Sequence, residues 1–406
     1  MSESHRTPRE LPVILVILGV VLAYALWLTS LLPARNSASE ATGEATSGQT
    51  QPSPTPHKPR TTILHAHREA PHPLAILPFV LLLLGIAVFP LSRWTAHWWE
   101  SNLHRFYVAL TLAIVTLAYY GLWAAHGGWE RVGGVVRHAL WDEYLPFITL
   151  LFALYTISGG IHISGDLQAT PTINTIYLAI GALLASFIGT TGAAMLLIRP
   201  LLQTNSERKH VQHTVVFFIF CVCNCGGCLL PIGDPPLLLG YLRGIPFLWT
   251  LRHLWEPWLF VNLALLATYF LLDKWVYHPR ERSRDIARDE SRVERIRVVG
   301  WQPNLWLLVG VVLAVAFLDP AKPLPGTNWY PWPCLREVVQ LVLVAFSLAW
   351  GDRAARVTNH FNYSAILEVA ILFVGIFICM QPALELLGAK GQSLGMNRPE
   401  QYFWYT

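Results

Sequence analysis

"CVCNCGGCLLPIGDPP" runs from Cys221 to Pro236 and closes an apolar stretch that begins at Thr214. Residues 214–223 (TVVFFIFCVC) suit a helix in an apolar medium. Asn224, Gly226 and Gly227 then weaken that helix, and Pro231, Pro235 and Pro236 stop or kink it. Asp234 stands between the breaks. Four of the chain's six cysteines lie here. At about 100° per residue, Cys221, Cys225 and Cys228 share one helix face and Cys223 points almost opposite. A zinc site pairs a C-x₂-C half with a second pair or with histidines, and Cys334 and Cys379 lie in other segments. The cysteines read first as small, polarizable packing residues. A membrane metal or redox protein using Cys221–Cys228 is the alternative.

The remainder of the chain says where a broken helix can exist. Its 406 residues are 53% hydrophobic and 13% charged, against about 25% charged in a soluble domain. Mean hydropathy is +0.42. Trp and Tyr are abundant, at 17 and 14 residues, as membrane interfaces favour. The expected fold is an all-α polytopic membrane protein. No Gly-rich phosphate loop sits in a βαβ pattern, which argues against a nucleotide-driven pump. The reading is of a non-enzyme without cofactor or resident metal.

Residues 1–33 contain an apolar run, 11–33, preceded by Arg6 and Arg9. It is long for a signal peptide and reads better as a transmembrane helix. Residues 34–73 are rich in Ser, Thr, Pro and Gly, carry His57, His65, His67 and His72, and read as a disordered linker. Apolar segments follow at about 74–92, 106–125, 139–163, 174–201, 214–241, 247–272, 303–319, 333–350 and 361–386.

Charge orients them. Loop 274–300 carries Lys274, Arg280, Arg282, Arg284, Arg288, Arg292, Arg295 and Arg297; loop 202–213 carries Arg208 and Lys209 beside His210 and His213; loop 351–360 carries Arg353 and Arg356. The positive-inside rule places all three in the cytoplasm. Counting back, 139–163 runs from outside to inside only if 174–201 enters and leaves on the cytoplasmic face. That segment therefore reads as a re-entrant hairpin, with Gly189 and Gly192 permitting a tight turn at "IGTTGA" (Ile188–Ala193).

"YLPFITLLFALYTISGG" (Tyr144–Gly160) aligns without gaps on "AILEVAILFVGIFICMQ" (Ala365–Gln381). The charge count gives the two segments opposite directions, as in inverted-repeat carriers. The expected organisation is a first membrane repeat at 74–273, with hairpin 174–201 and broken helix 214–241. The basic cytoplasmic loop 274–300 and a partial second repeat at 301–406 follow. The second hairpin tip would fall beyond Thr406, so the second repeat reads as incomplete and the chain as truncated.

Irregular backbone at membrane depth survives only where protein or a water-filled cavity satisfies its polar groups. A charged Asp there costs about 2.5–3.5 kcal/mol. Asp234 is thus a candidate for ion binding or proton relay, with N-capping of the helix from Pro235 an equal reading that can hold alongside it. Thr190 and Thr191 offer hydroxyls at the hairpin tip, where the second arm's positive dipole end points. Arg199 reads as snorkelling near the cytoplasmic end. Glu368 reads either as an inward-facing group or as one near that same end. Asp142 and Glu143 read as the N-terminal cap of the 139–163 helix, and Ser158 and His162 as packed helix contacts.

From Gly189 to Phe247 the order of motifs is specific: a threonine-bearing tip, an R-P-L-L exit, an N-x-G-G break and a G-D-P-P turn. This stretch resembles the NhaD-type sodium/proton antiporters of the ion transporter superfamily, which also includes citrate, dicarboxylate and arsenite permeases. The resemblance implies an inverted-repeat carrier with two hairpins and two broken helices, and puts Thr190, Thr191, Asn224 and Asp234 in or near the cation path. Cys225, Cys228 and Leu230 depart from the family pattern. The expected function is exchange of Na⁺ for H⁺ by alternating access. Na⁺-coupled or uniport carriage of citrate, dicarboxylate or arsenite anions is the alternative. The expected partners are the lipid bilayer and small ions, with no nucleic acid and a homodimer as the assembly to test. The expected location is a bacterial inner membrane, crossed many times.

Overall fold

A computed structural model describes Gly19 and residues 71–123, 128–281 and 294–390. The run 11–33 apart from Gly19, the linker before residue 71 and most of the arginines of loop 274–300 lie outside the described residues. The described chain is mainly helical: α1 Leu77–Val88, α2 Asn102–Ala118, α3 Trp129–Arg137 and α4 Leu145–Ser158, then β1 His162–Asp166. There follow α5 Pro171–Ile188, α6 Thr190–Thr204, α7 Gln212–Phe218, α8 Pro235–Leu242, α9 Trp249–Leu272 and β2 Glu294–Val299. Last come α10 Trp301–Phe317, α11 Leu335–Trp350, α12 Arg353–Thr358, α13 Ser364–Cys379 and α14 Gln381–Lys390. Among the described residues six helical runs are long and apolar enough to span a bilayer, and Pro73–Val88 and Trp301–Phe317 are shorter apolar helices. The protein is an all-α polytopic membrane protein, with one small two-stranded ribbon.

That ribbon is antiparallel, pairing His162 with Val299 and Ile163 with Val298. The sequence reading had 163 as a helix end and 274–300 as a loop. Gly159 and Gly160 end α4 early, and the branched residues Ile163, Ile296, Val298 and Val299 suit the extended chain that follows.

The described residues of 149–361 form one compact unit, and those of 55–148 and 362–406 form another; the division falls inside α4. In the 149–361 unit the three basic segments gather at one end. The ribbon ties the residues after α4 to 294–299. Glu281 accepts from the backbone N–H of Lys209 and of His210, both at 3.0 Å. The Asn359 amide donates to the Gly159 and Ile161 carbonyls at 3.1 and 2.7 Å.

In the other unit α2 packs on α13 so closely that a Cβ on Gly375 would lie 2.8 Å from that of Ala109. Phe147 of α4 stacks on Phe373 at 4.6 Å, and the Gln381 amide donates to Glu143 at 2.7 Å. The start of α4 therefore runs antiparallel to α13. Asp142 and Glu143 do not cap a helix. They lie in a wide π-type turn, His138–Tyr144, inside a continuous helical run from Trp129 to Ser158. His138 Nδ1 stands 3.1 Å from Asp142, and Gln381 partners the buried Glu143. A partner one turn earlier for Asp142, and one from α14 for Glu143, hold these carboxylates within the helix rather than at its start.

Candidate functional site at the hairpin tip

The hairpin is α5 and α6 joined at a single residue. Thr170 caps α5, its hydroxyl accepting from the Ile173 N–H, with Pro171 at the first helical position. The arms are fastened at their base, where the Asn174 and Asn205 amides donate to each other at 2.8 Å in both directions. They close up at Gly181, where a Cβ would lie 3.1 Å from Leu197. At the tip Gly189 adopts φ 77°, ψ 152°, a conformation that glycine takes without strain. A Cβ on Gly192, in the first turn of α6, would lie 3.3 Å from the Ser158 hydroxyl.

The opposing segment breaks in stages. After α7 the backbone widens through Ile219–Asn224 and tightens into a 3₁₀ turn at Cys225–Leu229. It extends at Leu230, turns at 231–233, and restarts as α8 with Asp234 at the N-cap and Pro235 and Pro236 in its first turn. The freed backbone groups find partners. The Ser186 hydroxyl donates to the Gly226 carbonyl and accepts from the Leu229 N–H. Trp258 Nε1 also donates to Gly226 O, at 3.2 Å, and the Thr250 hydroxyl donates to Leu229 O at 2.9 Å. These bonds remove the cost of non-helical backbone in an apolar medium. The sequence analysis did not single out Ser186, Trp258 or Thr250, because none carries a local signal of bonding across helices.

Tip and break touch. The Thr190 N–H donates to Gly233 O at 3.3 Å, and the Thr190 hydroxyl donates to Asp234 Oδ1 at 3.4 Å. Cys228 Sγ stands 4.0 Å from Asp234 Oδ2. The glycines make this possible. A Cβ on Gly226 would lie 2.9 Å from the Ala182 backbone, and one on Gly227 would lie 2.8 Å from the Asp234 carboxyl carbon and both its oxygens. Pro231 is buried in the turn.

Asp234 holds the N-cap position of α8 but makes no side-chain bond to that helix; its half-buried carboxylate faces Thr190 instead. The starts of α6 and α8 thus converge on one carboxylate and one hydroxyl. Thr191 and Asn224 are exposed, and among the described residues the side-chain hydrogen bonds to Asp234 come from Thr190 and Cys228. Arg199 donates from Nη1 to Thr358 O at 2.8 Å, near the hairpin base. Glu368 belongs to the other unit and pairs with Arg105 at 2.8 Å. Cys221 is buried, and Cys223, Cys225 and Cys228 are partly exposed free thiols. Among the described residues no group of three His, Cys, Asp or Glu side chains is arranged to hold a metal ion.

The base carries a second polar cluster. Arg208 forms a forked pair with the fully buried Asp273, donating from Nη1 at 3.0 Å and from Nη2. His213 Nε2 lies 3.0 Å from Asp273 Oδ1, its ring stacked on Tyr277 at 3.9 Å. Burial alone would raise the Glu281 carboxyl, but the N–H groups of Lys209 and His210, with Arg208, hold it below the usual carboxylate range. Asp273 and Glu281 were not legible as partners of loop 202–213, because sequence does not give the alignment of α9 against α7.

A family model, CitMHS_2, described as "Putative citrate transport", matches residues 69–406. Comparison with curated proteins gives no match, and comparison with solved structures gives none either.

Proposed function

The chain belongs to the CitMHS_2 citrate-transport family, and from that premise we propose that this membrane transporter is a secondary carrier of citrate-class carboxylates coupled to a small cation at Asp234. The observation that carries the proposal is the orientation of Asp234, turned from its own helix toward the Thr190 hydroxyl at the hairpin tip. Two helix N-termini, those of α6 and α8, favour an anion there. A carboxylate between them opposes one. The opposition ends when Asp234 is protonated or holds a cation, so an anionic cargo and a cation enter together. Hard oxygen donors, from the carboxylate and the hydroxyl, suit a proton or a small hard cation.

A second reading, Na⁺/H⁺ exchange, uses the same Asp234 and is favoured by that same oxygen-only pair. Full-length protein in proteoliposomes separates the two. The proposal expects labelled citrate uptake that depends on an imposed Na⁺ or H⁺ gradient. Gradient-driven Na⁺/H⁺ exchange with no citrate movement would replace it by the second reading.

A further inference from the structure

The helical run from Trp129 to Ser158 changes character at Glu143. Before it stand Glu130, Arg131, Arg137, His138 and Asp142, whereas Leu145–Ser158 after it holds no charged residue. Charged groups favour the water side and the uncharged stretch favours hydrocarbon. The wide turn His138–Tyr144 lies at this boundary. Within it Trp141 and Asp142 stay exposed while Glu143 is buried. Single π-type turns inside α-helices recur at functional sites.

Three side chains form a line across that boundary. His138 Nδ1 lies 3.1 Å from Asp142 Oδ2, and its Nε2 lies 3.7 Å from Glu143 Oε1. The Asp142 side chain is 58% exposed, the imidazole 34% and the Glu143 side chain 3%. Glu143 Oε2 accepts from Gln381 Nε2 at 2.7 Å, a neutral donor that serves a carboxyl group in either protonation state. The elements packed against the turn carry Glu130, Arg131 and Arg137 on α3, Glu368 and Cys379 on α13 and Glu385 on α14. Arg131 pairs with Glu385 at 3.3 Å, its guanidinium over the Tyr120 ring, and Glu368 pairs with Arg105 at 2.8 Å. Tyr144, in the turn itself, donates to Ala370 O at 3.1 Å.

We propose that Glu143 is a proton-binding site, separate from Asp234, that exchanges protons with solvent through His138. Imidazole can take a proton at one ring nitrogen and release one from the other, which makes it a shuttle. Here Nδ1 faces the exposed carboxylate and Nε2 the buried one. In the inward step water protonates Asp142, Asp142 gives that proton to Nδ1, and the Nε2 proton passes to Glu143 Oε1. One proton leaves the water and one arrives on Glu143. A half-turn of the partly exposed ring restores the starting tautomer, and the same freedom closes the 3.7 Å gap. A proton needs no cavity, and its arrival removes the cost of a buried charge. The site rests on this geometry and not on the cation reading of Asp234.

Infrared difference spectroscopy of the full chain in proteoliposomes tests the site. Acidification is expected to raise the carbonyl band of a carboxylic acid shielded from water. That band is kept in Asp234→Asn and lost in Glu143→Gln, whose amide oxygen still accepts from Gln381. After a rapid pH step the band develops about 100-fold more slowly in His138→Gln, which cannot shuttle a proton. If Glu143→Gln does not fold, retention of the band in Asp234→Asn and its delay in His138→Gln carry the test. A wild-type protein with no shielded acid band on acidification overturns the proposal. So does a band that survives in folded Glu143→Gln, and an unchanged rate in His138→Gln overturns the path through the imidazole.

Discussion

At its base the hairpin is tied by the reciprocal Asn174–Asn205 amide pair and by charge-assisted bonds, the forked Arg208–Asp273 pair and the two N–H groups gripping Glu281. At its very tip Thr190 makes one backbone bond of 3.3 Å and one hydroxyl contact of 3.4 Å to the opposing segment, and Ser186, one turn earlier in α5, bonds to Gly226 O and the Leu229 N–H. Buried charge pairs are costly to disrupt, whereas hydrogen bonds as long as 3.3–3.4 Å are worth less. The base is therefore the more strongly held end, and the weaker contacts at the very tip are those that face Asp234. Alternating exposure of a site needs a packing with two states of similar energy, and under the proposed carrier function the tip, not the base, is where that change would fall.

The largest expected effect tests the tip. Asp234→Asn keeps the shape and removes the charge, so gradient-driven transport in proteoliposomes falls by at least about 100-fold, the scale of a lost charged partner. Its melting temperature stays near wild type, since Asp234 makes no bond to its own helix. Wild-type transport by this variant would move the cation site elsewhere. The base responds in the opposite sense. Asp273→Ala leaves Arg208 buried and unpaired, and stability falls by about 3–5 kcal/mol, read from denaturation of the solubilised chain. A variant that melts normally would show that the base is no anchor.

Gly227→Ala probes the boundary between these behaviours. Its methyl would lie 2.8 Å from the Asp234 carboxyl group, and that side chain is free enough to swing aside. Transport should drop by roughly 10-fold, about 1.4 kcal/mol, with little change in melting temperature. A large loss of stability without a transport-specific effect would make the tip as rigid as the base.

Much of this division was legible before any coordinates. Gly226, Gly227 and the prolines announce the break because each alters backbone freedom locally, and Gly189 announces the turn for the same reason. Three basic loops on one side follow from charge alone. Which groups repair the break was not legible, because Ser186, Thr250 and Trp258 act across helices whose rotation no local rule gives. Nor does composition separate Thr190 from Thr191. Only the start of α6 at Gly189 decides which of two adjacent hydroxyls turns toward Asp234.

That pair offers the smallest and sharpest test. Thr190→Val removes a hydroxyl and keeps the backbone bond from residue 190 to Gly233 O. The lost contact is long, so stability changes by about 1 kcal/mol or less. If the hydroxyl is a ligand of the coupling cation, the cation concentration for half-maximal transport rises about 3–10-fold while the maximal rate is largely kept, as expected for loss of one oxygen donor in binding. Thr191→Val, at the exposed neighbouring position, leaves both quantities unchanged. Equal effects from the two variants would mean that the tip's polarity as a whole, and not the bond from Thr190 to Asp234, sets cation affinity.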